Sequence, residues 1–186
     1  MRIVAGELGG RTIRAPEGSS TRPTSDRARQ AVFNILEHAA WSPGLEGRRA
    51  IDLFAGSGAM GLEALSRGAD ACLFIDTAEP ALAALRGNIE AFRLGDRALV
   101  RRLDATKLGA RPESEPAFDV AFLDPPYGKG LGERALAALA TGGWLTPDAA
   151  VALERGADEP ESVPPGFRVL DDRRYGAARV QFLRPA

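Results

Sequence analysis

The four residues Asp124, Pro125, Pro126 and Tyr127 bring unusual chemistry together in one place. They follow Phe118 to Leu123, an apolar run broken only by Asp119, which has the character of a buried strand. A carboxylate, a carbonyl held by two stiff proline rings and an aromatic face make an acceptor set beside a stacking surface. That combination suits an exocyclic amine on a nucleic-acid base. Such an amine is a poor nucleophile, because its lone pair is delocalised into the ring. Asp124 and the Pro125 carbonyl can accept from its N–H groups, aim the lone pair and stabilise positive charge developing on nitrogen. Tyr127 offers a face on which an extruded base can stack.

A second constellation lies upstream, in DLFAGSGAMG. Gly56, Gly58 and Gly61 spell G-x-G-x-x-G between an expected strand and an expected helix. Glycines allow a tight turn and close approach of a ligand to the backbone, and the helix start presents unpaired N–H groups. Asp76 ends the next strand, where a carboxylate can accept from both hydroxyls of a ribose. The pattern predicts an adenosine-containing cofactor, with NAD and S-adenosylmethionine both fitting the ribose acid. Asp52, just before the turn, favours S-adenosylmethionine, whose amino-acid end carries an ammonium. The pyrophosphate of NAD would be repelled there.

These groups need a frame that brings them to one rim. Residues 50–155 alternate strand and helix: AIDLF, AMGLEALSRG, ACLFID, AEPALAALRGNIEAFRLG, ALVRRLDA, FDVAFLD, LGERALAALATGG and AAVALER. Apolar strands alternating with helices predict a mostly parallel sheet covered on both faces. FRVLDDRRYG and ARVQFLRP close the chain as an antiparallel hairpin around Gly176. MRIVA and RTIRA, separated by GELGG, predict a small N-terminal hairpin. TSDRARQAVFNILEHAA reads as a helix, with Ala28, Ala31, Val32, Ile35, Leu36 and Ala39 on one face and Thr24 or Ser25 as its cap. Residues 1–45 are expected to be an extension of a single unit whose core is 46–186.

Composition narrows the class. The chain has 186 residues, 45% hydrophobic and 26% charged, as in soluble globular domains. No apolar run reaches the ~20 residues of a membrane span. One cysteine and one histidine exclude an internal disulfide and a cysteine or histidine metal cage. A cytoplasmic, metal-free monomer is expected. Net charge is −1, yet residues 1–30 hold six arginines against three acids, and 167–186 hold five against two. Two basic ends around an acidic body could grip a polyanion. Cys72 is expected in the core, His38 at a helix end, and Trp41 and Trp144 as packing anchors.

Three stretches carry a family resemblance. DPPY resembles the [DNS]-P-P-[YFW] motif of amino-group methyltransferases acting on nucleic-acid bases. RIVAGELGGRTIRAP…TRPTSDRARQAVFNIL resembles the opening of the bacterial RsmD family, and RRYGAARVQFLR its closing hairpin. The resemblance covers essentially the whole chain. It implies a Rossmann-like class I methyltransferase fold, S-adenosylmethionine as cofactor, and methylation of N2 of a G966-type guanine in 16S rRNA, either as naked RNA or within an assembling small subunit. Carried onto this sequence, Asp52, Gly56, Ser57, Gly58 and Asp76 would hold the cofactor. Asp104 would meet the adenine amine and Ala105 would add its N–H. Asp124 to Tyr127 would form the base site. Arg22, Thr24 and Arg27, in the N-terminal signature, would cover the cofactor's methionine end, the place given to Thr24, or grip RNA phosphate. Arg11 and Arg14, in the basic N-terminal end, are expected to grip RNA by their charge. FIDTAEPAL departs locally, with Asp76 at the strand end where the family more often carries Glu and Asp further on; Asp76 can still bind ribose, and whether Glu79 contacts the cofactor stays open. From the residues alone, adenine-N6 methylation of DNA and a non-catalytic RNA-binding assembly factor remain as alternatives.

Overall fold

The computed structural model describes residues 1–17, 26–160 and 162–186. In chain order its elements are α1 (Asp26–His38), β1 (Arg49–Leu53), α2 (Ala59–Ser66), β2 (Ala71–Asp76), α3 (Glu79–Ala91), β3 (Ala98–Arg102), β4 (Phe118–Leu123), α4 (Leu131–Thr141), β5 (Leu145–Gly156), β6 (Phe167–Tyr175) and β7 (Ala178–Pro185). A 3₁₀ turn, Ala105–Lys107, follows β3. The strands form one sheet in the order β3-β2-β1-β4-β5-β7-β6. The first five run parallel, and β7 inserts antiparallel between β5 and β6. The chain winds outward from β1 to β3, then crosses back to β4. That reversal opens a crevice above the carboxyl ends of β1 and β4, where open α/β sheets bind ligands.

Apolar residues of both strand faces are buried, which explains the near-continuous hydrophobic runs. On one face Val32, Phe33 and Leu36 of α1, Leu62 and Leu65 of α2, and Leu82 and Leu85 of α3 cover Phe74, Phe122 and Phe182. Phe33 and Phe122 meet with ring centroids 5.3 Å apart. On the other face Ala135, Leu136 and Leu139 of α4 cover Ile51, Ala121, Leu123 and Val151. Each fully buried leucine or phenylalanine contributes about 1.5–3 kcal/mol. Cys72 and Trp144 are core residues, and Trp41 packs on Phe182. His38 ends α1 at an exposed position.

Two local expectations change. The N-terminal hairpin is reduced to a single antiparallel bridge, Arg2 to Thr12. The cause is competition for its amides: Val4 and Ala5 donate to the Glu63 carboxylate, at 2.7 and 3.0 Å, and Leu8 donates to Ser66 Oγ. A ladder cannot form where the amides are bound to a helix side chain. The strand expected at AAVALER instead begins at Leu145. It absorbs Pro147 through a register shift between Phe118 and Val120, which is where a proline is tolerated.

Candidate active site

Strand register places the acids. Asp52 aligns with Phe74 on β2 and Phe122 on β4, and Phe122 aligns with Ala152 on β5. Side chains two residues apart on a strand share a face. Continuing two residues from each partner reaches Asp76, Asp124 and Glu154. Three carboxylates therefore lie toward the carboxyl ends of β2, β4 and β5 on one face of the sheet, with Asp52 of β1, the strand between β2 and β4, one row inside them.

Asp52 is 2% exposed and accepts from the Gly61 amide at 2.9 Å. Burial drives its pKa well above the ordinary carboxylate value, the Gly61 bond opposes this, and the charges of Asp124 and Asp76 add to the rise. Asp76 accepts from Gly56 N at 2.8 Å and from Ala78 N at 2.9 Å, so it ties the Gly-rich turn to the end of β2. Phe54 opens that turn at φ 60, a left-handed conformation that a bulky residue adopts only when its surroundings impose it. Gly58 and Gly61 serve close packing: a Cβ would lie 2.4 Å from Leu85 Cδ1 at Gly58 and 2.2 Å from Phe74 Cε1 at Gly61. A Cβ on Gly56 would meet nothing within 4 Å, so this part of the turn stays open. Ser57 is nearly buried, and its carbonyl accepts from Asn88 Nδ2.

Asp104 caps the 3₁₀ turn, accepting from Thr106 Oγ1 at 2.7 Å and Thr106 N at 2.9 Å. Those bonds hold its pKa below the ordinary value. Ala105 beside it is buried. Glu79 sits in the first turn of α3 and pairs with Arg86 at 2.9 Å and Arg102 at 3.7 Å.

At the end of β4 the chain turns through Pro125 and Pro126 toward α4. Asp124 is exposed by area, yet it lines a recess with Val32, Met60, Phe122, Ala152, Glu154 and Val180. Loss of hydration there, with the charge of Glu154 beside it, raises its pKa to about 7. Its open side keeps contact with water, so that loss is partial. The Tyr127 hydroxyl donates to Glu154 Oε1 at 2.5 Å. Gly156 lies against the ring, where a Cβ would make an ordinary contact 3.4 Å from Tyr127 Cδ2. Glu159 accepts from Gly128 N at 3.0 Å and anchors the loop from below.

The arginines divide by role. Arg11 donates to the Ala91 carbonyl at 2.7 Å and lies over the Phe92 ring, 4.7 Å from its centroid. It fastens the N-terminal segment to α3 while its side chain remains exposed. Arg14 and Arg27 are exposed. Arg22 and Thr24 lie outside the described residues, as does the Ser25 cap. Among the described residues no group of three or more acids, histidines or cysteines could hold a metal, and no helix is long and apolar enough to cross a membrane.

Three contributors escaped the sequence reading. Glu154 looked like the polar end of a strand, and only the register of β5 against β4 brings it beside Asp124. Asn88 lies in mid-helix, where periodicity marks it merely as inward-facing, yet it bonds Arg14 N, Arg14 O and Ser57 O. Glu63 is fully buried and holds Arg67 at 2.8 Å as well as the two N-terminal amides.

A family model described as Conserved hypothetical protein 95 matches residues 1–184. Ribosomal RNA small subunit methyltransferase D of Haemophilus influenzae is 32% identical over 177 residues, covering 95% of this chain and 89% of that protein. The Escherichia coli K12 protein of the same name is 32% identical over 154 residues, 83% of this chain and 74% of that one. Among solved structures, Escherichia coli yhhF, described as a methyltransferase, superposes with a TM-score of 0.83 at 28% identity, covering 100% of this chain and 97% of that chain. Sequence coverage and fold agree from end to end: the chain belongs to the RsmD family and has the class I methyltransferase fold.

Proposed function

We propose that this protein transfers a methyl group from S-adenosylmethionine to the exocyclic N2 amine of a G966-type guanine in small-subunit ribosomal RNA. The observation that carries the reading is the carboxylate row at the rim, Asp76, Asp124 and Glu154 over Asp52, beside the Tyr127 ring. A row of like charge favours a cationic ligand and disfavours a pyrophosphate. The residues present therefore fit a sulfonium cofactor with an ammonium end better than NAD. When bound, S-adenosylmethionine supplies an electrophilic methyl group on sulfur.

The protein's own part is binding and alignment. Asp76 accepts from the ribose hydroxyls while it braces Gly56. Asp52 supplies negative potential under the turn, and the open backbone at Gly56 lets the cofactor approach. Tyr127 stacks the base. Asp124 and the Pro125 carbonyl accept from the two N2 protons and stabilise the cation as the N–C bond forms and the S–C bond breaks. The surplus N2 proton passes to Asp124, whose exposed side returns it to water. The names of the family relatives support RNA of the small subunit as substrate. DNA adenine methylation has no comparable support, and an assembly factor without activity would have no use for the acceptor set.

The test is methyl transfer from labelled S-adenosylmethionine to ribosomal RNA from a strain lacking this protein, followed by nucleoside analysis. The expected product is N2-methylguanosine. N6-methyladenosine, or no transfer, would overturn the reading.

A further inference from the structure

Resting on that reading of the base site, we infer that Glu154 is the residue that selects guanine, by accepting a hydrogen bond from guanine N1–H while Asp124 accepts from N2. The strands set the two carboxylates side by side. Phe122 pairs with Ala152 and Leu123 with Leu153, so the next step along β4 and β5 puts Asp124 beside Glu154. Both line the same recess, whose other walls, Val32, Met60, Phe122, Ala152 and Val180, are apolar. Among the described residues, the recess thus offers a base edge two acceptors beside groups that offer it no side-chain donor.

Tyr127 fixes where that edge falls. Its hydroxyl donates to Glu154 Oε1 at 2.5 Å, so Glu154 lies at the polar end of the ring. A base stacked on the ring extends its edge past that end, toward the same carboxylate. A carboxylate accepts at about four sites over its two oxygens, so existing partners such as Tyr127 leave the group able to accept again. The bond also locks the rotamer of both side chains.

The selectivity follows from the edges of the purines. Guanine presents adjacent donors, N1–H and the N2 amine. Adenine presents its amine next to N1, an acceptor. Two carboxylates side by side match the first pattern. Against the second, one would face a lone pair with no proton between them, a repulsive contact in a partly dehydrated recess. A site built on hydrogen bonds to a base edge rejects the wrong edge far more strongly than an apolar pocket could. Motifs of the DPPY type suit any exocyclic amine, so discrimination must come from a residue outside the motif, and Glu154 occupies that place.

The experiment uses the full chain, labelled S-adenosylmethionine and a synthetic small-subunit RNA fragment containing the mapped target position. The target carries either guanine or 2-aminopurine, which keeps the C2 amine and has a bare N1 acceptor. The wild type is expected to methylate guanine at least about tenfold faster than 2-aminopurine. In Glu154→Gln the amide can donate to the bare N1, so the guanine to 2-aminopurine ratio should fall by about tenfold. Because this is a ratio within one protein, loss of folded enzyme cancels. Glu154→Gln slowing both substrates equally would overturn the assignment and leave Asp124 as the reader of both protons. If the wild type methylates no guanine but another nucleoside of the ribosomal RNA, the proposed reaction itself fails, a result separable from the first.

Discussion

The Gly61 amide donates to Asp52 Oδ2 at 2.9 Å, across the turn that joins β1 to α2. This one bond explains how a carboxylate persists inside a sheet. The helix start supplies a donor and positive partial charge, which offset part of the lost hydration. They do not offset all of it, and the charges of Asp76 and Asp124 work against ionisation. A bound cation would restore the balance. Asp52 is thus a group whose cost in the ligand-free protein becomes affinity for the ligand.

Asp52→Asn keeps an acceptor for Gly61 and removes the charge. A raised folded-state pKa means stability is fully present below the unfolded carboxylate value and is lost as pH rises. The Asn variant lacks that loss. Its melting temperature should therefore exceed the wild type's at neutral pH, with the gap closing in acid. Its affinity for S-adenosylmethionine by calorimetry should fall. A variant more stable and equally tight would remove Asp52 from the cofactor's surroundings.

Asn88 joins the N-terminal segment to the Gly-rich turn, through Arg14 on one side and Ser57 on the other. Asn88→Leu is close in size but offers none of these bonds. Each buried partner left unsatisfied costs about 1–3 kcal/mol. The variant should be destabilised by a few kcal/mol in urea and should bind S-adenosylmethionine more weakly. Intact cofactor affinity in a destabilised variant would show that the brace serves only the fold.

Much of this molecule is legible from sequence because its signals are local. The Gly-rich turn, Asp52 and Asp76 fall within one strand–turn–helix–strand stretch, and DPPY is contiguous. The alternation of apolar runs predicts the parallel sheet, and Gly176 predicts the closing turn. What escapes is set by register and by long-range competition. Glu154 stands 30 positions from Asp124 in sequence, and no spacing rule connects them; the β4–β5 pairing does. The missing N-terminal ladder depends on Glu63, 59 residues from Val4. Arg11 looks like surface charge until α3 brings Phe92 and the Ala91 carbonyl beneath it.

Glu63 tests the first of those long-range effects. It is fully buried, accepts from Val4 and Ala5, and pairs with Arg67 and Arg29. Removing one member of a buried ion-pair network costs about 3–5 kcal/mol, because the remaining charges lose their partner. Glu63→Ala should lower stability on that scale and expose residues 1–15 to proteolysis before the core unfolds. Cleavage no earlier than in the wild type would deny Glu63 its role as the latch.

The basic ends give a prediction in salt. Arg14 and Arg11 are both exposed, but Arg11 also bonds the Ala91 carbonyl and lies over the Phe92 ring. Arg14→Glu should weaken RNA binding and make the slope of log affinity against log salt shallower by about one. Arg11→Ala should act chiefly through stability. Equal effects of both on the salt slope would mean that Arg11 leaves Phe92 to reach RNA.

Asp124 joins the chemistry to pH. Its carboxyl must be ionised to accept from the amine and take its proton, and its pKa in the ligand-free protein is about 7, against an ordinary 3.8. The pH profile of kcat/KM reports the free enzyme, so activity should rise with pH through about 7. Glu154→Gln removes the neighbouring negative charge and should move that midpoint to lower pH. Asp124→Ala should leave S-adenosylmethionine affinity nearly unchanged and slow single-turnover methylation roughly a hundredfold or more, the size of losing one preorganised partner of the transition state. The same shift carries a cost in stability: the wild type should lose stability as pH rises from about 4 to about 7, and Asp124→Asn should not. Tyr127→Ala should act through base binding, at about 1–3 kcal/mol for a lost stack. Tyr127→Phe keeps the stack but cuts the bond to Glu154, so it tests whether the locked ring matters. A wild-type rate for Asp124→Ala would show that amine activation does not reside in this carboxylate.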